Sequence, residues 1–256
     1  MTRTIPQVKT QAGGNVPQEL LDRAREKIEK LSGRAPEPVL AARVRLTMGA
    51  DPARPALAQA NLDVNGRTVR VQTAAATMAE AVDVLEDRLA ERLRRVARHW
   101  EAVRGGQPQP REWRHNAEPA HRPAYYPRPA EERQVIRHKS YELASATPDE
   151  AAFDMEALDY DFHLFTDVAT GQDSVLYRHA DAYRMAQLDP RPRRDAPAVD
   201  LTVSPHPAPR LTVPEAIERL ETTGLPFVFF ADSATGRGNV LYHRYDGHYG
   251  LITPAG

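Results

Sequence analysis

Two sets of cations recur at helical spacing in the N-terminal part of the chain. Arg23, Lys27, Lys30 and Arg34 form one set; Arg88, Arg92, Arg95 and His99 form the other, with Arg94 and Arg98 beside it. Residues three and four apart share a helix face, so each set makes a stripe. Such stripes neutralise phosphates and release counterions, giving affinity for a polyanion without reading its sequence. A solvated face laced with i,i+4 pairs such as Glu19–Arg23 and Glu91–Arg95 would use the same residue types. The charge distribution bears on the choice. Residues 1–106 carry 18 basic and 13 acidic side chains, residues 107–146 carry 7 and 5, and residues 147–256 carry 9 and 17, although the whole chain nets only −1. A basic head thus precedes an acidic tail, which suggests a polyanion partner for the head and a different task for the tail. Thirty of the 34 basic residues are Arg, which suits bidentate phosphate contacts, although GC-rich coding gives the same bias.

Other chemistry is sparse. With no cysteine, thiolate metal sites, disulfides and a cysteine nucleophile are excluded. There is no Gly-rich phosphate loop, no Gly-x-Ser-x-Gly elbow and no His pair at helical spacing. Asp159, Asp161 and His163 alternate and could ligate a divalent metal on one strand face; a solvated polar face opposite Tyr160, Phe162 and Leu164 is the favoured reading. The expectation is a protein that is not an enzyme, with no cofactor, no metal and no small-molecule substrate. No window approaches 18 consecutive apolar residues, and Met1-Thr-Arg-Thr-Ile5 lacks the apolar core of a secretion signal. The expected location is cytoplasmic, with no membrane partner.

The elements that must carry the stripes are readable from periodicity. Residues 4–10 make a short strand, and Pro17 and Glu19 mark the start of a helix. Leu20, Ala24, Ile28 and Leu31 line one face of that helix, and Gly33 ends it. Leu40, Ala42, Val44, Leu46 and Met48 then alternate with Arg43, Arg45 and Thr47 as a half-buried strand. Ala60, Leu62 and Val64 alternate likewise and run into Asn65-Gly66, a pair suited to a two-residue hairpin turn. Val69 and Val71 carry the return strand. A long helix follows from Met78 through Val82, Leu85, Leu89, Leu93 and Val96. The order is βαβββα, an α+β domain with two helices on one face of a four-stranded sheet.

Beyond the head, domain 1–105, residues 106–133 form a Pro-rich linker with almost no aliphatic side chains. Trp113, Tyr125 and Tyr126 there, among Arg111, Arg114, Arg122 and Arg128, could stack on RNA bases, but interdomain packing or plain solvent exposure is the favoured reading. The tail is duplicated at an offset of 65. Thr147-Pro-Asp-Glu-Ala151 matches Thr212-Val-Pro-Glu-Ala216, and both read as capping boxes. Phe162-His-Leu-Phe165 matches Phe227-Val-Phe-Phe230, Ala169-Thr-Gly171 matches Ala234-Thr-Gly236, and Ser174-Val-Leu-Tyr177 matches Asn239-Val-Leu-Tyr242. The boundaries are 134–190 for repeat one and 211–256 for repeat two, joined by linker 191–210. Each is a small α+β unit, a helix followed by three short strands. Repeat one departs from repeat two at Asp181-Ala-Tyr-Arg-Met-Ala-Gln-Leu-Asp-Pro190, which replaces an Asp-Gly turn and reads as one residue longer.

Units this small bury little surface and expose an apolar face, so each needs a partner. The expected pairing surface is Phe162, Phe165, Val175 and Tyr177 of repeat one with Phe227, Phe230, Val240, Tyr242, Tyr249 and Ile252 of repeat two. With both copies in one chain, the linker sets an effective concentration of roughly millimolar for pairing within the molecule.

The element order, the hairpin after Ala60-Asn-Leu-Asp-Val64 and the helix Met78-Ala-Glu-Ala-Val-Asp-Val-Leu-Glu-Asp-Arg-Leu-Ala90 resemble the N-terminal domain of ribosome hibernation-promoting factors. Gly224-Leu-Pro-Phe-Val-Phe-Phe230, Asn239-Val-Leu-Tyr-His-Arg-Tyr-Asp-Gly247 and Tyr249-Gly-Leu-Ile-Thr-Pro254 resemble the C-terminal domain of the long forms. The resemblance implies a head lodged in the decoding region of the small subunit, where it obstructs mRNA and tRNA anticodons. The helix stripes (Arg23, Lys27, Lys30, Arg34, Arg88, Arg92, Arg94, Arg95 and Arg98) would then face 16S rRNA. In the family the C-terminal domain pairs with its copy on a second molecule and joins two ribosomes. Two copies in one chain suggest pairing with each other and silencing of single 70S ribosomes. The rivals are a ribosome-dimerising, 100S-forming factor and an acidic protein-interaction module whose basic head is incidental.

Overall fold

Alternation along four strands gives a sheet with one apolar face, and two one-sided helices cover it. The computed structural model describes residues 6–49, 52–104, 129–180, 182–192, 197–244 and 246–255, without the side chains of 99–104 and 130. The chain divides into two compact units. The first runs β1 (Val8–Gly13), α1 (Gln18–Arg34), β2 (Val39–Met48), β3 (Ala56–Val64), β4 (Arg67–Ala75) and α2 (Met78–Arg104). The sheet order is β1-β2-β3-β4, with β1 parallel to β2 and the other pairs antiparallel. Ala42, Val44, Leu46, Ala60, Leu62, Val69 and Val71 from the sheet are buried together with Ala24, Ile28, Val82, Leu85, Leu89, Leu93 and Val96 from the helices. Asn65 and Gly66 both have positive φ, 52° and 85°, as the tight hairpin requires.

Local geometry differs from the periodic reading at four places. The first strand starts later, at Val8. Leu21, not Leu20, fills the buried row of α1 with Ala24 and Ile28. Gly33 does not end α1, which continues to Arg34; the stop comes at Ala35, whose ψ of 140° is the extended conformation that the following Pro36 imposes. The fourth difference is a bulge in β2. Pairing with β3 slips between Val39 and Ala41, so Val39 turns inward at 6% exposure while Leu40 stands outward at 60%. One extra residue inverts the face of what precedes it. Met48, at the far end of β2, is also exposed. Leu40→Ser is therefore expected to change unfolding free energy by less than about 0.5 kcal/mol. Val39→Ala should cost about 2 kcal/mol. Urea denaturation of the two variants checks the bulge.

The second unit contains β5 (Val135–Tyr141), β6 (Ser145–Ala146), α3 (Pro148–Ala157), β7 (Phe162–Asp167), β8 (Gln172–His179), β9 (Ala182–Gln187), β10 (Leu201–Val203), β11 (Arg210–Leu211), α4 (Val213–Thr223), β12 (Phe227–Asp232), β13 (Gly238–His243) and β14 (Tyr249–Pro254). Both capping boxes form. The Glu150 N–H donates to Thr147 Oγ1 at 3.3 Å and the Thr147 N–H to Glu150 Oε2 at 2.9 Å; Thr212 and Glu215 repeat the exchange. Repeat one has its third strand, β9. Tyr183 opposes Arg178 as Tyr249 opposes His243, so the turn before β9 is one residue shorter than its counterpart, the reverse of the sequence reading.

The strands form two five-stranded sheets, β10-β9-β8-β7-β6 and β11-β12-β13-β14-β5. The outer members are exchanged. β5 opens repeat one yet pairs in parallel with β14 of repeat two, and β10, in the linker ahead of repeat two, pairs in parallel with β9 of repeat one. Arg133, just before β5, makes an ion pair with Glu221 on α4. Asp149 on α3 accepts the N–H groups of Ala198 and Val199, leading into β10, at 2.9 and 2.8 Å.

One face of the second sheet packs under α4, with Ala216, Leu220, Val228, Phe230, Leu241, Tyr249 and Leu251. A different cluster draws on both repeats: Leu143, Phe162, Leu164, Val175, Phe229 and Val240, flanked by Tyr177, Phe227, Tyr242 and Ile252. Phe162 and Phe227, equivalent in the duplication, have ring centroids 4.7 Å apart. Phe162 also meets Tyr242 at 5.5 Å, as Phe227 meets Tyr177 at 5.4 Å. These reciprocal contacts are those of a local two-fold axis. Three residues expected on this surface lie elsewhere. Phe230 and Tyr249 belong to the core under α4, and Phe165 lies on the face of β7 opposite Phe162 and Leu164, because successive strand residues point to opposite faces. Among the described residues, no helix is long and apolar enough to cross a membrane.

Candidate nucleic-acid interface

The helix stripes divide into cations used for packing and cations presented to solvent. Arg23 donates to both oxygens of Asp83, at 2.8 and 3.0 Å, and not to Glu19. Lys27 pairs with Glu86 and, at 3.2 Å, with Asp83. These bonds clamp α1 to α2. The hydrogen bond to Glu86 holds the Lys27 ammonium above its ordinary pKa. Arg88 donates to the carbonyl of Gln72 at 3.1 Å and Arg92 to that of Arg70 at 3.4 Å, so both reach β4, the last strand of the sheet. Arg95 pairs with Glu91 at 2.8 Å, the i,i+4 contact the solvated-face reading requires. Lys30, Arg34, Arg94 and Arg98 are exposed; Arg94 also donates to the Ala90 carbonyl at 3.2 Å. The His99 side chain lies outside the described residues.

A second basic surface is missing from the stripe reading. The sheet face turned away from the helices carries Lys9, Arg43, Asn61 and Arg70 in one cross-strand row, and Gln11, Arg45, Gln59 and Gln72 in the next. Neither row contains a carboxylate. Lys9, Arg43 and Arg45 are exposed, while Arg70 donates to Gln72 at 2.7 Å and Gln59 at 3.3 Å. Guanidinium groups among amides offer donors for phosphate and sugar oxygens. Outward alternation of Arg43 and Arg45 was visible in the sequence; the strand order and register that align Lys9 and Arg70 with them were not.

The metal alternative does not assemble. Asp159 has φ of 54° in the turn after α3, and the strand begins only at Phe162, so Asp159, Asp161 and His163 share no strand face. Burial pushes the His163 imidazole below its ordinary pKa. Among the described residues no cluster of three His, Cys, Asp or Glu is placed to hold a metal ion. Trp113, Tyr125 and Tyr126, with Arg111, Arg114, Arg122 and Arg128, fall outside the described residues.

Comparison with known proteins places the chain. Residues 10–100 match the family described as Sigma 54 modulation protein / S30EA ribosomal protein. Residues 130–183 and 202–251 each match the Sigma 54 modulation/S30EA ribosomal protein C terminus. The chain is 41% identical over 224 residues to the dormancy associated translation inhibitor of Mycobacterium tuberculosis, covering 84% of this chain and 77% of that protein. It is 30% identical over 135 residues to the ribosome hibernation promotion factor of Deinococcus radiodurans, covering 49% of this chain and 67% of that one. The chain therefore belongs to the S30EA/Sigma 54 modulation protein family, in the long form, with the C-terminal domain present twice. Among solved structures, the N-terminal domain of Thermus thermophilus Protein Y is 24% identical, with a TM-score of 0.31, covering 35% of this chain and 98% of that one.

The Arg23 hydrogen bond foremost, with Lys27 in support and against some desolvation, holds the Asp83 carboxyl below its ordinary value of 3.8. A depressed carboxyl stabilises the fold above its unfolded pKa and loses that contribution as pH falls through the folded value. The pair is exposed and screened, so less than about 1 kcal/mol is at stake. Asp83→Asn is expected to lower stability slightly at neutral pH and to make its fall below about pH 4 shallower. Unfolding curves across pH 2–7 read the difference.

Proposed function

We propose that this protein is a ribosome hibernation factor: its N-terminal unit binds 16S rRNA at the decoding region of the small subunit and blocks mRNA and tRNA, and no reaction is catalysed. The observation that carries this reading is the pair of carboxylate-free cation and amide rows on the open sheet face, joined by the exposed Lys30, Arg34, Arg94 and Arg98. On the helices, Arg23, Lys27, Arg88, Arg92 and Arg95 add positive charge to the same unit, with Arg23 and Lys27 also fastening α1 to α2. Family membership supports the ribosome as the partner, and the names of the M. tuberculosis and D. radiodurans relatives point to translation inhibition. Work at the ribosome implies a cytoplasmic location.

The protein is expected to pellet with small subunits, with affinity falling roughly 10³-fold between about 50 and 200 mM salt if six or more phosphates are contacted. Arg43→Glu with Arg45→Glu should weaken pelleting by about tenfold or more while leaving unfolding free energy nearly unchanged. Equal pelleting of the reversed variant would remove the open sheet face from the interface. No pelleting by the parent chain would favour the acidic interaction module.

For the tail, the reading is that domain 134–190 and domain 211–256 pair within one chain, so that idle ribosomes are held as 70S monosomes. The cluster shared by the two repeats supports it, as does the exchange of β5 and β10. Sucrose gradients of ribosomes with near-stoichiometric protein are expected to show 70S particles. Accumulation of 100S pairs would favour the dimerising alternative.

A further inference from the structure

In a pairing built on a two-fold axis, only residues close to the axis meet their own equivalents. Where the hairpins β7-β8 and β12-β13 meet, those residues are Asp173 and Gly238, which share register positions opposite Thr166 and Ala231. They are not alike. The Asp173 carboxylate, 5% exposed, accepts the Gly238 N–H at 2.8 Å and the Arg237 guanidinium through Nε at 2.8 Å and Nη2 at 3.2 Å. Arg237 corresponds to Gln172 in the other repeat. The approach is too close for two side chains: a Cβ on Gly238 would lie 2.7 Å from the Asp173 Cβ and 2.8 Å from Phe229 Cε2. Phe229 fills the space over Gly238, whereas its equivalent beside Asp173 is the smaller Leu164.

We propose that the tail interface is heterotypic by construction: Asp173, facing Gly238 and Arg237, lets repeat one accept repeat two and reject a copy of itself. The proposal rests on the pairing of the two repeats given above and names what decides it. Two copies of repeat one would set Asp173 against Asp173 where only one side chain fits, and would bury two carboxylates without a cation. Two copies of repeat two would leave the buried Gly238 N–H and Arg237 without their acceptor. The single arrangement that satisfies both hairpins is one repeat of each kind. A chain carrying one of each is complementary to itself, while its like repeats cannot join chain to chain through this surface.

The test uses the full chain without ribosomes, so failure of the ribosome reading leaves it untouched. Gly238→Asp places a second carboxylate at the contact; the backbone amides of Val175 and Val240 are expected to exchange on the order of 100-fold faster, with the protection of the Leu89 amide in α2 of the head retained. A transposed chain carries Leu164→Phe, Gln172→Arg, Asp173→Gly, Phe229→Leu, Arg237→Gln and Gly238→Asp. It holds the same Asp at position 238 but restores one residue of each kind, and its protection should return to within about fivefold of the parent. Protection in Gly238→Asp equal to the parent overturns the proposal. So does a transposed chain no better protected than Gly238→Asp.

Discussion

A sheet of three short strands with one helix can cover only one of its faces, and the uncovered apolar face is the constraint on which the tail of this molecule depends. Phe162, Leu164 and Val175 in one copy, and Phe227, Phe229 and Val240 in the other, are apolar because each set has the other to pack against. At roughly 25 cal/mol per Å² of apolar surface, a face of this kind is a substantial part of what holds so small a unit together. In the proposed pairing, duplication within one chain supplies the missing cover locally. The price is paid in symmetry: a two-fold meeting of unlike copies frees each to change where they touch, and Asp173 and Gly238 have diverged at such a point.

The head uses its cations for two purposes that the sequence cannot separate. A guanidinium fixed on a neighbouring carboxylate, as Arg23 is on Asp83, is partly neutralised and contributes to packing of the helices. One held among amides, as Arg70 is between Gln59 and Gln72, has its direction constrained by neutral groups. The acidic residues of the head thus shape its field as much as the basic ones do. They concentrate on the helices, which leaves the middle rows of the open sheet face to cations and amides.

Much of this fold was legible wherever a signal is local. Asn65-Gly66 specifies its hairpin through positive φ, Thr147/Glu150 and Thr212/Glu215 specify helix starts through reciprocal hydrogen bonds, and the 65-residue offset exposes the duplication. What escaped were partners. Periodicity says that Phe230 and Tyr249 are buried and leaves open against what, so both were assigned to the repeat contact when they belong under α4. The bulge at Leu40 hid because Val39 and Leu40 are equally apolar, and only pairing with β3 decides which turns inward. Of the candidate interface, the helix cations were legible as a pattern, but the row from Lys9 to Arg70 spans four strands and exists only through register. The exchange of β5 and β10 had no local signature at all.

That exchange bears on how the molecule is made. Gln134, leading into β5, bonds to His248, 114 residues further along the chain, and the strand beside it, β14, belongs to the second repeat. During synthesis the arm must wait, unpaired, until nearly all of both repeats has emerged. Closing so wide a loop is slow even where its entropic cost grows only with the logarithm of length. A nascent or truncated chain would thus expose an edge open to any strand nearby, and completion of the tail is in effect a check that both copies have been translated.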